Sequence, residues 1–328
     1  MTTAGDGPSP LAGQVAWLGF LGRRLLGLLV VLAFLLFATF VMVRLIPGDP
    51  AVVILGQNGT PDQYRAVDHL LGLDHPWPAQ FVDYVTRALR GDLGESYVTK
   101  QPVGEIIGQR IGPTALLAGL SLAVVLLLSV PLGMAAAHLT ANGRRPRVEV
   151  AWTTMTAVFG TIPQYLLATL LVFVFALELR LLPVAGMQGW RAVVLPVASL
   201  AVGPTLALAR IVRLQVLDAL AQDYVRTAES KRLPLRTIYL RHVLPNILTT
   251  ALTVGGLLFS SLIAGTIFIE QIFVRVGMGS SLIGAIQAHD YPVVQADVLL
   301  LGMIVVVVNA LVDVLLGVID PRTLATEG

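Results

Sequence analysis

Residues 25–43, LLGLLVVLAFLLFATFVMV, form 19 consecutive positions without a charge. A helix needs about 20 apolar residues to cross hydrocarbon. Five further apolar stretches follow, at roughly 115–137, 150–177, 192–212, 247–269 and 293–319. Inside a bilayer each must satisfy its backbone groups internally, so each is predicted to be a helix. The pattern therefore predicts an all-α membrane protein with six transmembrane helices. The first stretch is longer than the ~7–15 residue core of a signal peptide and no small-x-small cleavage site follows, so it is read as an uncleaved anchor over 25–46.

Residues 47–112 are long for a simple connection, and loops of this length are functional or disordered more often than not. This one carries order signals. PGDP (47–50) is a turn cluster ending the first span. PWPAQFVDYVTRAL puts Phe81, Val82, Val85, Ala88 and Leu89 on one helical face. RGDLGES (90–96) reads as a turn, and PVGEIIGQRI sets Val103, Ile106, Ile107 and Ile111 as a second short stripe. The expectation is a long external loop of short helices forming a lid. Residues 113–319 are then the transmembrane domain, and 1–24 and 320–328 are tails.

Composition agrees. The chain is 55% hydrophobic and 13% charged, with mean hydropathy +0.79, more apolar than a soluble core could bury. Membrane lipid is therefore its expected surroundings. The absence of cysteine removes disulfides, thiolate metal sites and cysteine nucleophiles together. A net charge of +2 is too mild to suggest a nucleic-acid partner. The basic residues inform through their placement instead. With a cytoplasmic N-terminus, the inner segments 1–24, 138–149, 210–246 and 318–328 hold 13 Lys and Arg in 84 residues. The outer segments hold 9 in 108, or 3 in 37 once the long first loop is left out. That bias follows the positive-inside rule and places both termini in the cytoplasm. The stretch 44–114 has eight acidic and six basic residues, so it is not a polybasic lipid-binding surface.

The chemistry of ATP use is missing. The chain has two lysines, Lys100 and Lys231, and neither follows a glycine, so there is no GK[ST] phosphate loop. There is no HExxH or GxSxG, and the five histidines lack metal-ligand spacing. No catalytic residue, metal site or cofactor of its own is predicted. Charges within the spans are few: Arg210, Asp297 and Asp313. The two aspartates lie near span ends and, with Asn309, are read as interfacial or helix-packing groups rather than an ion pathway. Span prolines and glycines such as Pro131, Gly133, Pro163 and Gly265 allow kinks and close helix approach.

One polar segment stands out: AQDYVRTAESKRLPLRTIYLRHVLPN, residues 221–246. Val216, Leu217, Leu220, Ala221, Tyr224, Val225 and Ala228 form one continuous apolar stripe at helical period. Asp218, Asp223, Arg226, Glu229 and Ser230 lie opposite, and Lys231 and Arg232 fall in the last turn, where positive charge suits the helix dipole. Pro234 disfavours helix at Leu233 and can open a new one. Leu235, Ile238, Tyr239 and Val243 continue a stripe, flanked by Arg236, Arg241 and His242, and the next span begins after Pro245-Asn246. The prediction is a helix, a sharp turn and a second short helix.

This segment resembles the cytoplasmic EAA loop of ABC importer permeases, in the dipeptide/oligopeptide permease B family. DYVRTA (223–228), Lys231, Leu233 and RHVLPN (241–246) fit that family's pattern. RLIPGDP (44–50), LGLDHPWPAQF (71–81), GDLGES (91–96), PVGEII (102–107), IPQYLLATLL (162–171), residues 265–300 and NALVDVLLGVIDPR (309–322) are similar to family segments too. The resemblance implies a type I importer permease fold. It also implies a homologous second permease subunit, two cytoplasmic ATPase subunits that hold ATP and magnesium, and an extracytoplasmic peptide-binding protein. The ATPase-coupling loop would comprise Asp223, Tyr224, Arg226, Thr227, Ala228, Glu229, Lys231, Arg232, Leu233, Leu235, His242 and Pro245. Family substrates include dipeptides, longer peptides, nickel, glutathione and haem, and the choice among them stays open. A stand-alone secondary transporter or channel is the alternative, and an intramembrane enzyme lacks any catalytic constellation. One position departs: Arg232 stands where the family has a turn glycine. A left-handed arginine costs roughly 1–2 kcal/mol. Since Pro234 already supplies a break, the helix is expected to continue one residue further.

Overall fold

Prolines punctuate the helices. Four helices begin on a proline: α1 (Pro10–Leu45), α2 (Pro50–Leu55), α3 (Pro61–Leu70) and α6 (Pro146–Thr161). Four begin directly after one: α4 (Trp77–Leu89), α5 (Val103–Thr140), α7 (Gln164–Leu171) and α10 (Leu235–Thr237). Proline suits a first turn, whose N–H groups have no intrahelical acceptor, and blocks helix at the residue before it. The other helices are α8 (Arg191–Leu220), α9 (Asp223–Ser230), α11 (Leu244–Ile272), α12 (Met278–Gln287) and α13 (Tyr291–Ile319). This computed structural model describes residues 10–45, 50–70, 72–141, 145–186 and 189–319. Most of the PGDP turn and the tail 320–328 lie outside the described residues. Among the described residues no strand forms; a single bridge joins Glu95 and Pro102.

Among the described residues five helical stretches are long and apolar enough to cross a membrane: Gly22–Leu45, Val103–Thr140, Arg191–Leu220, Leu235–Ile272 and Tyr291–Leu315. The stretch expected as one span over 150–177 is two helices, α6 and α7, bent by 96°. Ile162 (ψ 123°) and Pro163 (ψ 138°) leave helical geometry at the bend, as the proline ring dictates. The stripe Val103, Ile106, Ile107 is no separate short helix. Those residues are buried in the first turns of α5, which at 38 residues is about 57 Å long and outreaches the hydrocarbon.

α5 and α8 form the centre of the bundle. Their contact is lined by small residues, and Gly133 marks the closest approach. A Cβ there would lie 2.6 Å from the Ala209 carbonyl oxygen and 2.6 Å from Val212 Cγ1. Arg213 of α8 is buried at the same crossing, donating from Nε to Thr140 Oγ1 of α5 (3.0 Å) and from Nη2 to Glu149 of α6 (2.7 Å). α11 packs across α5 and α8, with α13 beyond it and α1 outermost. Arg24 of α1 and Asp313 of α13 pair at 2.9 Å, and Asn309 Nδ2 donates to Ser260 Oγ of α11 at 3.3 Å. Both polar groups therefore pack helices, as expected. Asp297 is different: it is fully buried.

These contacts fix the sidedness of the bundle. The start of α1, the end of α5, the start of α6, the α8–α11 segment and the end of α13 share one end. The segment from α2 to α4 and helix α12 occupy the other. α4 lies along α1, with Phe81 set edge-on to Phe40 (5.1 Å between centroids) and Tyr84 hydroxyl 3.1 Å from Thr39 Oγ1. Its docked face is Phe81, Tyr84, Val85 and Ala88; Val82 and Leu89 are exposed. The Tyr84–Thr39 bond turns the helix away from the face that apolar pattern alone selects.

The Gly133 contact gives a stability prediction. Gly133→Ala should push α5 and α8 apart, at a cost of about 1–3 kcal/mol. Gly119→Ala, in the same helix with open space around it, should cost nothing measurable. Thermal unfolding of the detergent-solubilised protein compares the two: a lowered midpoint for Gly133→Ala alone is expected.

Candidate functional site

The polar segment begins where α8 ends. Continuous apolar spacing predicts one helix through Ala228, but the chain breaks at Ala221–Gln222. Ala221 and Gln222 N–H groups turn back to Asp218 and Ala219 carbonyls at 3.2 Å each, closing α8 with a tight turn. Gln222 then supplies the carbonyl that starts α9, and Asp223 in its first turn suits the positive helix end. The kink leaves both halves buried. Val216, Val225 and Ala228 share a cluster with Ile238, Val243 and Ile247, so α9 is clamped onto the base of α8 and α11.

α9 ends at Ser230, two residues short of the expected extension through Arg232. Arg232 adopts φ +54°, and the Leu233 N–H reaches back to the Ala228 carbonyl at 3.2 Å. That six-to-one bond with a left-handed residue inside it is a Schellman cap. The expectation that the helix continues through Arg232 is therefore corrected: Pro234 denies Leu233 a helical conformation, and the cap satisfies the free carbonyls at arginine's expense. Pro234 (ψ 142°) next opens α10. The second short helix is not separate from the following span. It widens into a π turn over Ile238–Val243 and runs on as α11. Pro245 explains the widening, since its ring lacks the N–H that would reach Arg241 and crowds that carbonyl.

The expected site residues separate into two groups. Val225, Ala228, Ile238 and Val243 anchor the segment, whereas Arg226, Thr227, Lys231, Arg232, Leu233 and Leu235 are exposed around the turn. Leu235 is 56% exposed. Arg226 and Asp223 approach to 3.6 Å, but both are so open that the pair adds little stability. Tyr224 hydroxyl accepts from Asn246 Nδ2 at 3.0 Å, tying α9 to the start of α11. His242 and Pro245 lie on the α11 side rather than at the turn, and the side chain of Glu229 lies outside the described residues. The result is a cationic tip with two bare leucines on a rigid base.

The chain's residues 129–325 match the family model described as Binding-protein-dependent transport system inner membrane component. It belongs to that family. Residues 17–118 also match the family's N-terminal membrane-component model, so the two matches reach from α1 into the last helix. Among similar proteins, one from Brucella suis biovar 1 (strain 1330), named "Putative peptide transport system permease protein", is 36% identical over 292 residues, or 87% of this chain and 92% of that protein. The glutathione transport system permease protein GsiC of Salmonella choleraesuis (strain SC-B67) is 35% identical over 304 residues, 93% of this chain and 98% of its own length. GsiC of Pectobacterium atrosepticum is 36% identical over 305 residues, again 93% and 98%. The chain is thus a multi-pass inner-membrane component of a binding-protein-dependent transport system. Among the described residues of this permease no group of His, Asp and Glu is placed to hold a metal ion.

At the opposite end the permease carries a polar knot that sequence spacing does not reveal. Glu270, 1% exposed at the end of α11, accepts from Thr114 Oγ1 (2.5 Å) and from the Ser280 N–H (3.0 Å). It caps α12, the arrangement a carboxylate favours at a helix N-terminus. Thr114 Oγ1 in turn accepts from the Met278 N–H at 2.8 Å. Glycines leave room for the carboxylate: a Cβ at Gly277 would lie 2.3 Å from Glu270 Oε1. Asp290, between α12 and α13, holds the Ser96–Tyr97 hairpin by accepting from Ser96 Oγ and, at 2.9 Å, from the Tyr97 N–H. Burial and the neighbouring Asp290 charge push the Tyr97 phenol up to about 12, so it stays neutral. Gly277 and Gly279, a short way after Glu270 in the chain, were the available signal, legible only once α11 and α12 are seen to fold back on each other.

Arg232 supplies the stability test of this site. Replacing a left-handed arginine by glycine removes roughly 1–2 kcal/mol of strain but adds about 0.5–1 kcal/mol of unfolded-chain freedom. Arg232→Gly should therefore stabilise the cap by about 0.5–1 kcal/mol, whereas Arg232→Ala, which keeps a Cβ, should not. Hydrogen exchange at the Leu233 amide reads the difference, with slower exchange expected for the glycine variant alone.

Proposed function

We propose that the chain is the membrane-spanning subunit of an ATP-driven ABC importer for short peptides, and that the α9–α10 turn is its ATPase-docking element. The names of the relatives support the substrate class: peptides for one, glutathione, itself a tripeptide, for the others. In this reading a homologous second permease completes the translocation path. Two ATPase subunits bind ATP and magnesium on the cytoplasmic side, where both termini and the α9 end of the bundle lie. An extracytoplasmic peptide-binding protein delivers substrate to the other end, and lipid surrounds the bare apolar faces of α1 and α13.

The observation that carries the docking role is the contrast within one segment. Val225 and Ala228 are buried in the same cluster as Val212 and Val216 of α8 and Ile247 and Ala251 of α11. A few residues on, Leu233 and Leu235 stand exposed among Arg226, Lys231 and Arg232. A partner that covers those leucines and offers acidic groups gains both apolar burial and charge pairing. Force at the tip then passes to two transmembrane helices as one packed unit. ATPase subunits that bind the inward- and outward-open states with different affinity shift the balance between them.

The alternative, a stand-alone carrier or channel, is separated by purification. The detergent-solubilised chain from its native cells is expected to bring a second permease and an ATPase, and to conduct nothing alone. Within that complex, Leu233→Asp with Leu235→Asp should lower transport-linked ATP hydrolysis by about tenfold or more, the effect of removing an interface hot spot. Full hydrolysis in that variant would remove the docking role while leaving the importer reading standing.

A further inference from the structure

The end of the bundle opposite α9 carries an open cavity of about 560 Å³ between the Ser96–Thr99 hairpin, the first turns of α5, the end of α11 and α12. That volume lies in the usual range for small-molecule sites, about 300–1,000 Å³. Most charged groups on its wall are already engaged. Glu270 caps α12 and Asp290 holds the hairpin, as described above. Arg275, 7% exposed, gives Nη1 to the carbonyls of Gly186 (3.1 Å) and Ala192 (3.2 Å).

Two groups on the same wall are not engaged. Arg110 of α5 is half-buried and lines the cavity, with no hydrogen-bond or ion-pair partner among the described residues. Ser281 of α12 is 3% exposed, and its Oγ faces the Asp297 carboxylate without closing a hydrogen bond to it. Asp297 lies fully buried among Arg110, Ser281, Glu270 and Asp290 and attracts Arg110 at a distance, but it forms no ion pair with it, so the guanidinium keeps its donors. The remaining wall is largely apolar, with Val98, Ile106, Val276 and Val293. A second cavity of about 1080 Å³ beside α1 and α4 has no such arginine: Arg87 pairs with Asp92 at 2.9 Å, and Arg44 lies 3.6 Å over the Phe40 ring.

An unpaired guanidinium presents a rigid fork of donors that fits a carboxylate in bidentate fashion. A buried hydroxyl beside it adds a third donor, and apolar walls suit the body attached to that carboxylate. We propose that this cavity is a substrate station in which Arg110, with Ser281, recognises the free C-terminal carboxylate of a peptide. The inference rests on the peptide reading of the preceding section and deepens it by naming the recognised group.

The test compares uptake of a labelled hydrophobic dipeptide and its C-terminal amide by cells carrying the chain with its native partners. The readout is the ratio of the two kcat/KM values. Any preference of the external binding protein is common to all variants and cancels in the comparison. Arg110→Gln is expected to lower the free-to-amide ratio by about tenfold or more, the effect of losing a charge-assisted pair. Arg110→Lys should lie between, and Ser281→Ala should lower the ratio by a few-fold. If Arg110→Gln fails to reach the membrane, the other two variants carry the comparison. An unchanged ratio in the variants, with peptide uptake intact, overturns the station and leaves the importer reading in place. Absence of uptake of either peptide by the unaltered chain overturns the peptide reading itself, and the station with it.

Discussion

The permease depends on one constraint: backbone groups released where a helix ends must find partners, and within a bilayer only the protein can supply them. At three helix ends the release is closed by a backbone bond within the protein. The Leu233 N–H returns to the Ala228 carbonyl, the Arg275 N–H to that of Glu270 at 2.8 Å, and the Asp290 N–H to that of Ala285 at 2.8 Å. Each of these returns encloses a non-glycine residue at positive φ: Arg232, Val274 and His289. Three strained side chains in one kind of cap imply that closing the helix end outweighs the local cost, which is of order 1–2 kcal/mol each.

The same constraint divides the molecule into two polar ends and an apolar middle. At one end, Arg213 ties α5, α6 and α8 together directly beneath the cluster that anchors α9. At the other, Glu270 and Asp290 fasten α12 and the hairpin to the ends of α5, α11 and α13. The middle is held by small residues at close crossings such as Gly133 against Ala209 and Gly302 against Leu35. A displacement at the α9 tip therefore enters α8 and α11 through packed side chains, and both helices run on to the opposite end. α11 ends there at Glu270, whose carboxylate sits on the wall of the smaller cavity.

Much of this was legible in the sequence, because a span needs only length and apolarity to declare itself. The charge-free run at 25–43, the proline-opened helices and the turn at Pro234 all follow from local chemistry. The misses share a cause. Periodicity reports which residues are apolar but not how far the axis bends, so Pro163 signalled a kink but not a 96° break, and the break at Ala221–Gln222 was hidden within a continuous stripe. The face of α4 was misjudged because Tyr84 docks through its hydroxyl, a contact apolar pattern cannot register. Arg232 shows the same limit: the proline suggested a longer α9, but the cap geometry that pins a left-handed residue is set by Ala228 and Leu233 together. Glu270 gained meaning from Thr114, 156 residues away, and from α12 folding back onto it, and Arg110 gained meaning from α12 across the cavity.

The central claim is that the α9–α10 tip is the surface an ATPase covers. The chain has no cysteine, so a single introduced thiol reports its own surroundings. Ser230→Cys at the tip and Val82→Cys on the exposed face of α4 place one probe at each end of the bundle. Maleimide labelling of each is compared in the isolated chain and in the complex assembled with ATPase subunits but without a binding protein. The account predicts that assembly slows labelling at position 230 by about tenfold or more and leaves position 82 unchanged, as burial at an interface core requires. Equal labelling at position 230 in the two states would contradict it.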